Sequence, residues 1–167
     1  MKRILIFFTM LVSVLLLFFV LQSHATSITY PEGYTPYYNP TSATILAKLV
    51  WAEGRGIPSD TEKAAIMWCV INRVEHDTGW SDSLHEVITA PKQFAYRESS
   101  PVDPNLYELA KDVLIRWDME RCGYENVGRV LPNNYYYFTG NGTKNIFRDS
   151  YKNGTIWNWT LPSPYES

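Results

Sequence analysis

The chain has 167 residues with 15 Lys and Arg against 17 Asp and Glu, a formal charge of −2, and is 46% hydrophobic and 15% aromatic. That length supports one compact domain with its own core and not two. The mildly acidic balance argues against a nucleic-acid partner, which calls for a basic face, and gives no electrostatic attraction to anionic lipid.

Met1-Lys2-Arg3 precedes an uncharged run from Ile4 to Leu21 and then Ser23-His24-Ala25. A basic start, an apolar core and small residues before a cut read as a secretory signal peptide over residues 1–25. The apolar run is also long enough to stay as an uncleaved membrane anchor. Both readings put the protein outside the cytoplasm. Residues 26–40, with Pro31, Gly33 and Pro36 among four tyrosines, form an extended leader, and residues 41–167 form the domain.

Thr41 or Ser42 can cap a first helix that runs to Glu53. At about 100° per residue, Ile45, Leu46, Leu49, Val50 and Ala52 share one face, and Glu53 projects from the middle of it. Gly54, Gly56 and Pro58 stop the helix there, which puts Glu53 in the last turn, where the macrodipole opposes a second negative charge. Partial desolvation and that dipole both favour the protonated carboxyl, the state a general acid needs. The plainer reading is a Glu paired with Arg55 or reaching water.

Ser59-x-x-Glu62 is a capping box that opens a second helix, about Asp60 to His76, with Glu62 as its capping acid. Its run Ala64–Ile71 is apolar on all sides, so this helix is the middle of the core. Asn72 and Arg73 at its end reach a buried partner, the floor of a site, or solvent. Ser83-x-x-Glu86 opens a short helix through Ile88, ended by Ala90-Pro91, and a loop with Gln93, Phe94, Ala95 and Tyr96 follows. Asp103-Pro104 then starts a long helix that Gly123 closes. Beyond it, aromatic and β-branched residues flank Asn141-Gly142, which predicts a hairpin. The expected fold class is α+β and predominantly helical, with a small C-terminal β-hairpin.

Tyr135, Tyr136, Tyr137, Phe138, Phe147, Tyr151, Trp157 and Trp159 crowd into the last quarter. Strand alternation sends some into the core and others outward, where aromatic faces suit the C–H faces of sugar rings. The two cysteines, Cys69 and Cys122, either pair or stay free, with a buried thiol the plain reading for Cys69. Outside the signal segment only His76 and His85 remain, and no His/Cys/acid spacing matches a zinc site, so no metal and no cofactor is expected.

Trp51-Ala-Glu-Gly-Arg-Gly-Ile-Pro58, then Val70-Ile-Asn-Arg-Val74, then Val87-Ile-x-x-Pro-x-Gln-Phe94 resembles the bacterial cell wall hydrolases of the spore cortex-lytic enzyme type. The likeness continues more loosely from Leu131 to Trp159. The resemblance implies a lysozyme-like helical core and cleavage of the β-1,4 bond between N-acetylmuramic acid and N-acetylglucosamine in peptidoglycan. It implies Glu53 as the essential acid, and site roles for Arg55, Asn72, Gln93 and Phe94. We add Tyr96, Tyr137, Phe138 and Phe147 as candidate substrate contacts from the aromatic supply. One departure is Gly54, where the family commonly has Ala.

A glycosidase ordinarily uses two carboxylates, and no second acid stands out; Glu98 and Asp149 lie in loops. The expected reaction is therefore a lytic transglycosylation in which Glu53 acts as acid and then as base, leaving a 1,6-anhydro sugar. A hydrolytic muramidase using Asp149 or Glu98, and a non-catalytic peptidoglycan-binding protein, are the alternatives. An amidase is disfavoured by the missing metal ligands. The expected partner is the peptidoglycan strand, the chain acting as a monomer, with wall turnover, germination or a secretion apparatus as open settings.

Overall fold

A computed structural model describes residues 28–76 and 79–165. The expected signal or anchor lies outside the described residues. Four helices and one hairpin follow in order: α1 (Pro40–Gly54), α2 (Asp60–Val74), α3 (Leu84–Thr89), α4 (Pro104–Arg121), β1 (Tyr137–Gly140) and β2 (Asn145–Arg148). The molecule is thus mainly helical with a two-stranded antiparallel sheet, as the α+β reading expects. Among the described residues no helix is long and apolar enough to cross a membrane.

The helix ends follow local chemistry. Asn39, not Thr41 or Ser42, caps α1: its side chain accepts the N–H groups of Thr41 and Ser42 at 2.9 and 3.2 Å, and Pro40 takes the first helical position. Asn39 satisfies two orphan donors at once, which leaves the two hydroxyl residues inside the helix. Ser59, Ser83 and Asp103 cap α2, α3 and α4 as expected. From Ile28 to Asn39 the leader is extended with one turn at Gly33, and the Tyr34 hydroxyl bonds Asp118 on α4 at 2.7 Å.

Helix α2 runs through the middle. Ala64 to Ile71 are each fully buried, and α2 packs on α1, α3 and α4 and touches β1. A helix apolar on all sides has no solvent face to offer, so its neighbours must surround it. The hairpin pairs Tyr137 with Arg148 and Phe138 with Phe147. Its loop is built on Asn141, whose side-chain oxygen accepts from Thr143 and Lys144, with Gly142 at φ 90°. Asn145 and Phe147 point inward while Ile146 stays exposed, the alternation that a strand with one wet face requires.

Candidate active site

Helix α1 delivers Glu53 to its last full turn, half-buried. The chain then breaks, with the Ile57 N–H closing on the Gly54 carbonyl at 3.0 Å. Glu53 does not pair with Arg55, as the plainer reading had it. Instead one carboxylate oxygen accepts the backbone N–H of Ala95 from the loop between α3 and α4. The other carboxylate oxygen takes no hydrogen bond among the described residues. Arg55 turns back to donate to the Trp51 carbonyl at 3.2 Å and lies 6.0 Å over the Trp51 ring.

The loop that holds Glu53 is clamped twice more. Lys48, one turn earlier on α1, donates to the Glu98 carbonyl at 2.7 Å and to its carboxylate at 2.6 Å. The Tyr96 hydroxyl donates to the same carboxylate. Lys48 first and Tyr96 second hold the Glu98 carboxyl below its ordinary value, while burial and then Glu98 push the Tyr96 phenol up to about 12. Between this loop and α1 lies a cleft of about 540 Å³, lined by Trp51, Ala52, Arg55, Ala95, Arg97, Ser99 and Ser100. Glu53 stands beside the cleft, joined to its wall through Ala95, and is not itself a lining residue.

Behind the loop sits Arg73, 4% exposed. Its Nε donates to the Tyr136 carbonyl at 2.7 Å and its Nη1 to Gln93 Oε1 at 3.0 Å. Its guanidinium lies 4.6 Å from the Phe94 ring centre and 5.4 Å from those of Trp80 and Tyr137. Phe94 continues the contact to Phe138 at 6.0 Å. One buried cation thus gathers Gln93, Phe94 and Tyr137, and the residue after Phe94 bonds Glu53. Arg73 is a positioning residue for the loop.

Two expected contacts are corrected. Asn72, 1% exposed, spends its side chain inside the fold: Nδ2 donates to the carbonyls of Pro132 and Tyr135 at 2.7 and 2.8 Å, and Oδ1 accepts from Arg129 at 2.6 Å. The end of a buried helix places it under the segment leading into β1, where unpaired carbonyls need donors. Phe147, 1% exposed, faces the core because strand alternation turns it inward from β2. Neither has surface for a ligand. Glu62 is not the capping acid expected of it, because its side-chain carboxylate is drawn to the hairpin. Its N–H bonds Ser59 at 3.2 Å, and its buried carboxylate accepts the backbone N–H of Asn145, joining α2 to β2.

Asp149 also has structural work: its carboxylate accepts the Thr155 N–H at 2.8 Å and sets the turn after β2. Partial burial works against its charge, yet the hydrogen bonds from Thr155 and Ser150 prevail and lower its carboxyl below the ordinary value. Both cysteines are free, Cys69 buried on α2 and Cys122 exposed at the end of α4. Among the described residues no group of three or more His, Cys, Asp or Glu could hold a metal ion.

Of the cleft lining, sequence analysis named Arg55 but not Trp51, Arg97, Ser99 and Ser100, nor the Ala95 N–H that holds Glu53; Glu53 stands beside the cleft, and Gln93, Phe94 and Tyr137 gather around Arg73 behind the loop. Loop residues carry no periodic signal, and a backbone donor is invisible in residue identity. Comparison with protein-family models, curated proteins and solved structures finds no match to this chain.

Proposed function

We propose that this protein is an exported enzyme that cleaves the β-1,4 glycosidic bonds of peptidoglycan, with Glu53 as its acid. The observation that carries the reading is the setting of Glu53. It lies in the last turn of α1 beside an open cleft, one oxygen held by the Ala95 N–H and the other without a hydrogen bond among the described residues. A proton donor needs that combination of fixed position and one accessible oxygen. The helical core around α2 supports a lysozyme-like arrangement, and the resemblance to spore cortex-lytic hydrolases names the substrate.

Within this reading Glu53 protonates the glycosidic oxygen as the C1–O bond breaks. Developing positive charge at C1 is met by the substrate's own 2-acetamido group, and Glu53, now a carboxylate, takes the proton of the C6 hydroxyl as that oxygen closes on C1. The product is a 1,6-anhydro sugar. The other acids support a one-carboxylate route: Glu98 is tied to Lys48 and Tyr96, Asp149 to the turn at Thr155, and Glu62 to Asn145. The chain acts as a monomer with its N-terminal segment directing it out of the cytoplasm.

Purified sacculi incubated with the protein should release muropeptides lighter by one water than hydrolysis products, read by mass spectrometry. Reducing ends would show a hydrolytic muramidase instead. Glu53→Gln should leave at most a trace of activity, since an amide does not donate as a carboxylic acid does. Retained activity in that variant refutes the assignment, and binding to sacculi without any cleavage by the wild type refutes the enzyme reading.

A further inference from the structure

Two arginines line the cleft beside Glu53. Arg55 reaches it from the end of α1 and Arg97 from the loop, with the hydroxyl residues Ser99 and Ser100 and the Trp51 ring in the same lining. Neither guanidinium forms an ion pair among the described residues. Arg55 uses one hydrogen bond, to the Trp51 carbonyl, out of about five available donors. Arg97 donates no side-chain hydrogen bond to any described residue. The neighbouring acid that could neutralise it, Glu98, is taken by Lys48 and Tyr96.

Two open guanidinium forks in one cleft select a planar anion, because each can hold a carboxylate through two parallel N–H bonds. The apolar side of Trp51 adds a face for the carbon chain beside it. On a peptidoglycan strand the carboxylates are those of the short peptide branch on each muramyl residue. Resting on the glycan-cleaving reading, we propose that the cleft is a subsite for the peptide-branch carboxylates, held by Arg55 and Arg97. The enzyme therefore selects strands bearing anionic peptides over strands whose branches are neutral.

The test uses soluble strands released from sacculi that have been freed of phosphate polymers. One half is coupled through carbodiimide to methylamine, which removes the carboxylate charge and keeps the peptide in place. Methylamidation should raise the apparent KM about tenfold, the loss expected when a charge-assisted contact becomes a neutral one, with kcat within about twofold. Arg97→Ala, at an exposed position that does not enter the core, should give a similar rise on native strands and add nothing on methylamidated ones. Arg97→Lys should recover part of the loss. Equal KM on both substrates, or an Arg97→Ala defect that persists on methylamidated strands, overturns the subsite. If neither substrate is cleaved, the glycan-cleaving reading fails, and sedimentation binding of the same two strand preparations still decides the subsite. Equal binding refutes it, and preferential binding of the native strands supports it. Binding that appears only with phosphate polymers left on the wall would put a phosphate in the cleft and overturn the carboxylate assignment.

Discussion

Asn72→Ala separates a residue that builds the fold from one that touches substrate. Asn72 makes three hydrogen bonds, two as donor to the Pro132 and Tyr135 carbonyls and one as acceptor from the Arg129 guanidinium. At about 1 kcal/mol for each neutral bond and about 2 for the one from a cation, the truncation costs about 4 kcal/mol. Arg129 softens the loss little, because it stays fixed by Glu120 at 2.6 Å and keeps its place 4.1 Å from the Trp68 ring centre. The orphaned carbonyls lie just before β1, so the hairpin should loosen first. Guanidinium chloride unfolding followed by tryptophan fluorescence should show a lower midpoint with an unchanged slope. Under conditions where the variant is fully folded, its KM on peptidoglycan strands should equal that of the wild type. A stability loss below about 1 kcal/mol, or a raised KM with intact stability, would refute the reasoning.

Burial pushes the Glu62 carboxyl above its ordinary value of 4.5, against the opposing effects of the Asn145 N–H and Lys144. The folded state then holds that proton more tightly than the unfolded chain. Its contribution to stability is present below pH 4.5 and is lost as pH rises through the folded value. Glu62→Gln should remove this decline, so its stability relative to the wild type should improve from pH 4 to pH 7; a pH-independent difference in denaturant midpoints would count against it. A Cβ on Gly54 would lie 2.8 Å from Ile66 Cδ1 and 3.2 Å from Ile57 Cδ1. Gly54→Ala gains about 1 kcal/mol in helix propensity and loses about 2 to overpacking, a net cost of about 1, and Ile66→Val in the same chain should return it to near wild type by thermal melting. Burial pushes the Cys69 thiol up to about 12 despite Arg73 beside it, whereas Cys122 is exposed. A thiol reagent should therefore label only Cys122 in the native protein and both cysteines once it is unfolded.

Helix boundaries were legible because caps and breakers act locally. Ser59, Ser83 and Asp103 mark three starts, and Gly54 to Pro58 mark the stop after the acid. The first cap was misassigned by sequence because Asn39, Thr41 and Ser42 all suit the role, and only the fixed φ of Pro40 puts the helix start after Asn39. The place of Glu53 in the last turn of α1 was legible from the breakers that follow it. What holds it was not, since the Ala95 N–H lies 42 residues away and every residue but proline carries such a donor. Asn72 and Phe147 were misread for a shared reason. Residue type says that a side chain can bond or stack, whereas burial decides whether it meets the fold or a ligand.

The break after Glu53 contains one more constraint, at Gly56. A side-chain carbon there would sit 2.5 Å from the carbonyl oxygen of Gly142 in the hairpin loop, a backbone atom that cannot step aside. The turn that ends α1 is therefore packed directly against the backbone of the hairpin loop. A side chain at position 56 could be admitted only if the turn after α1 and the hairpin loop moved apart together.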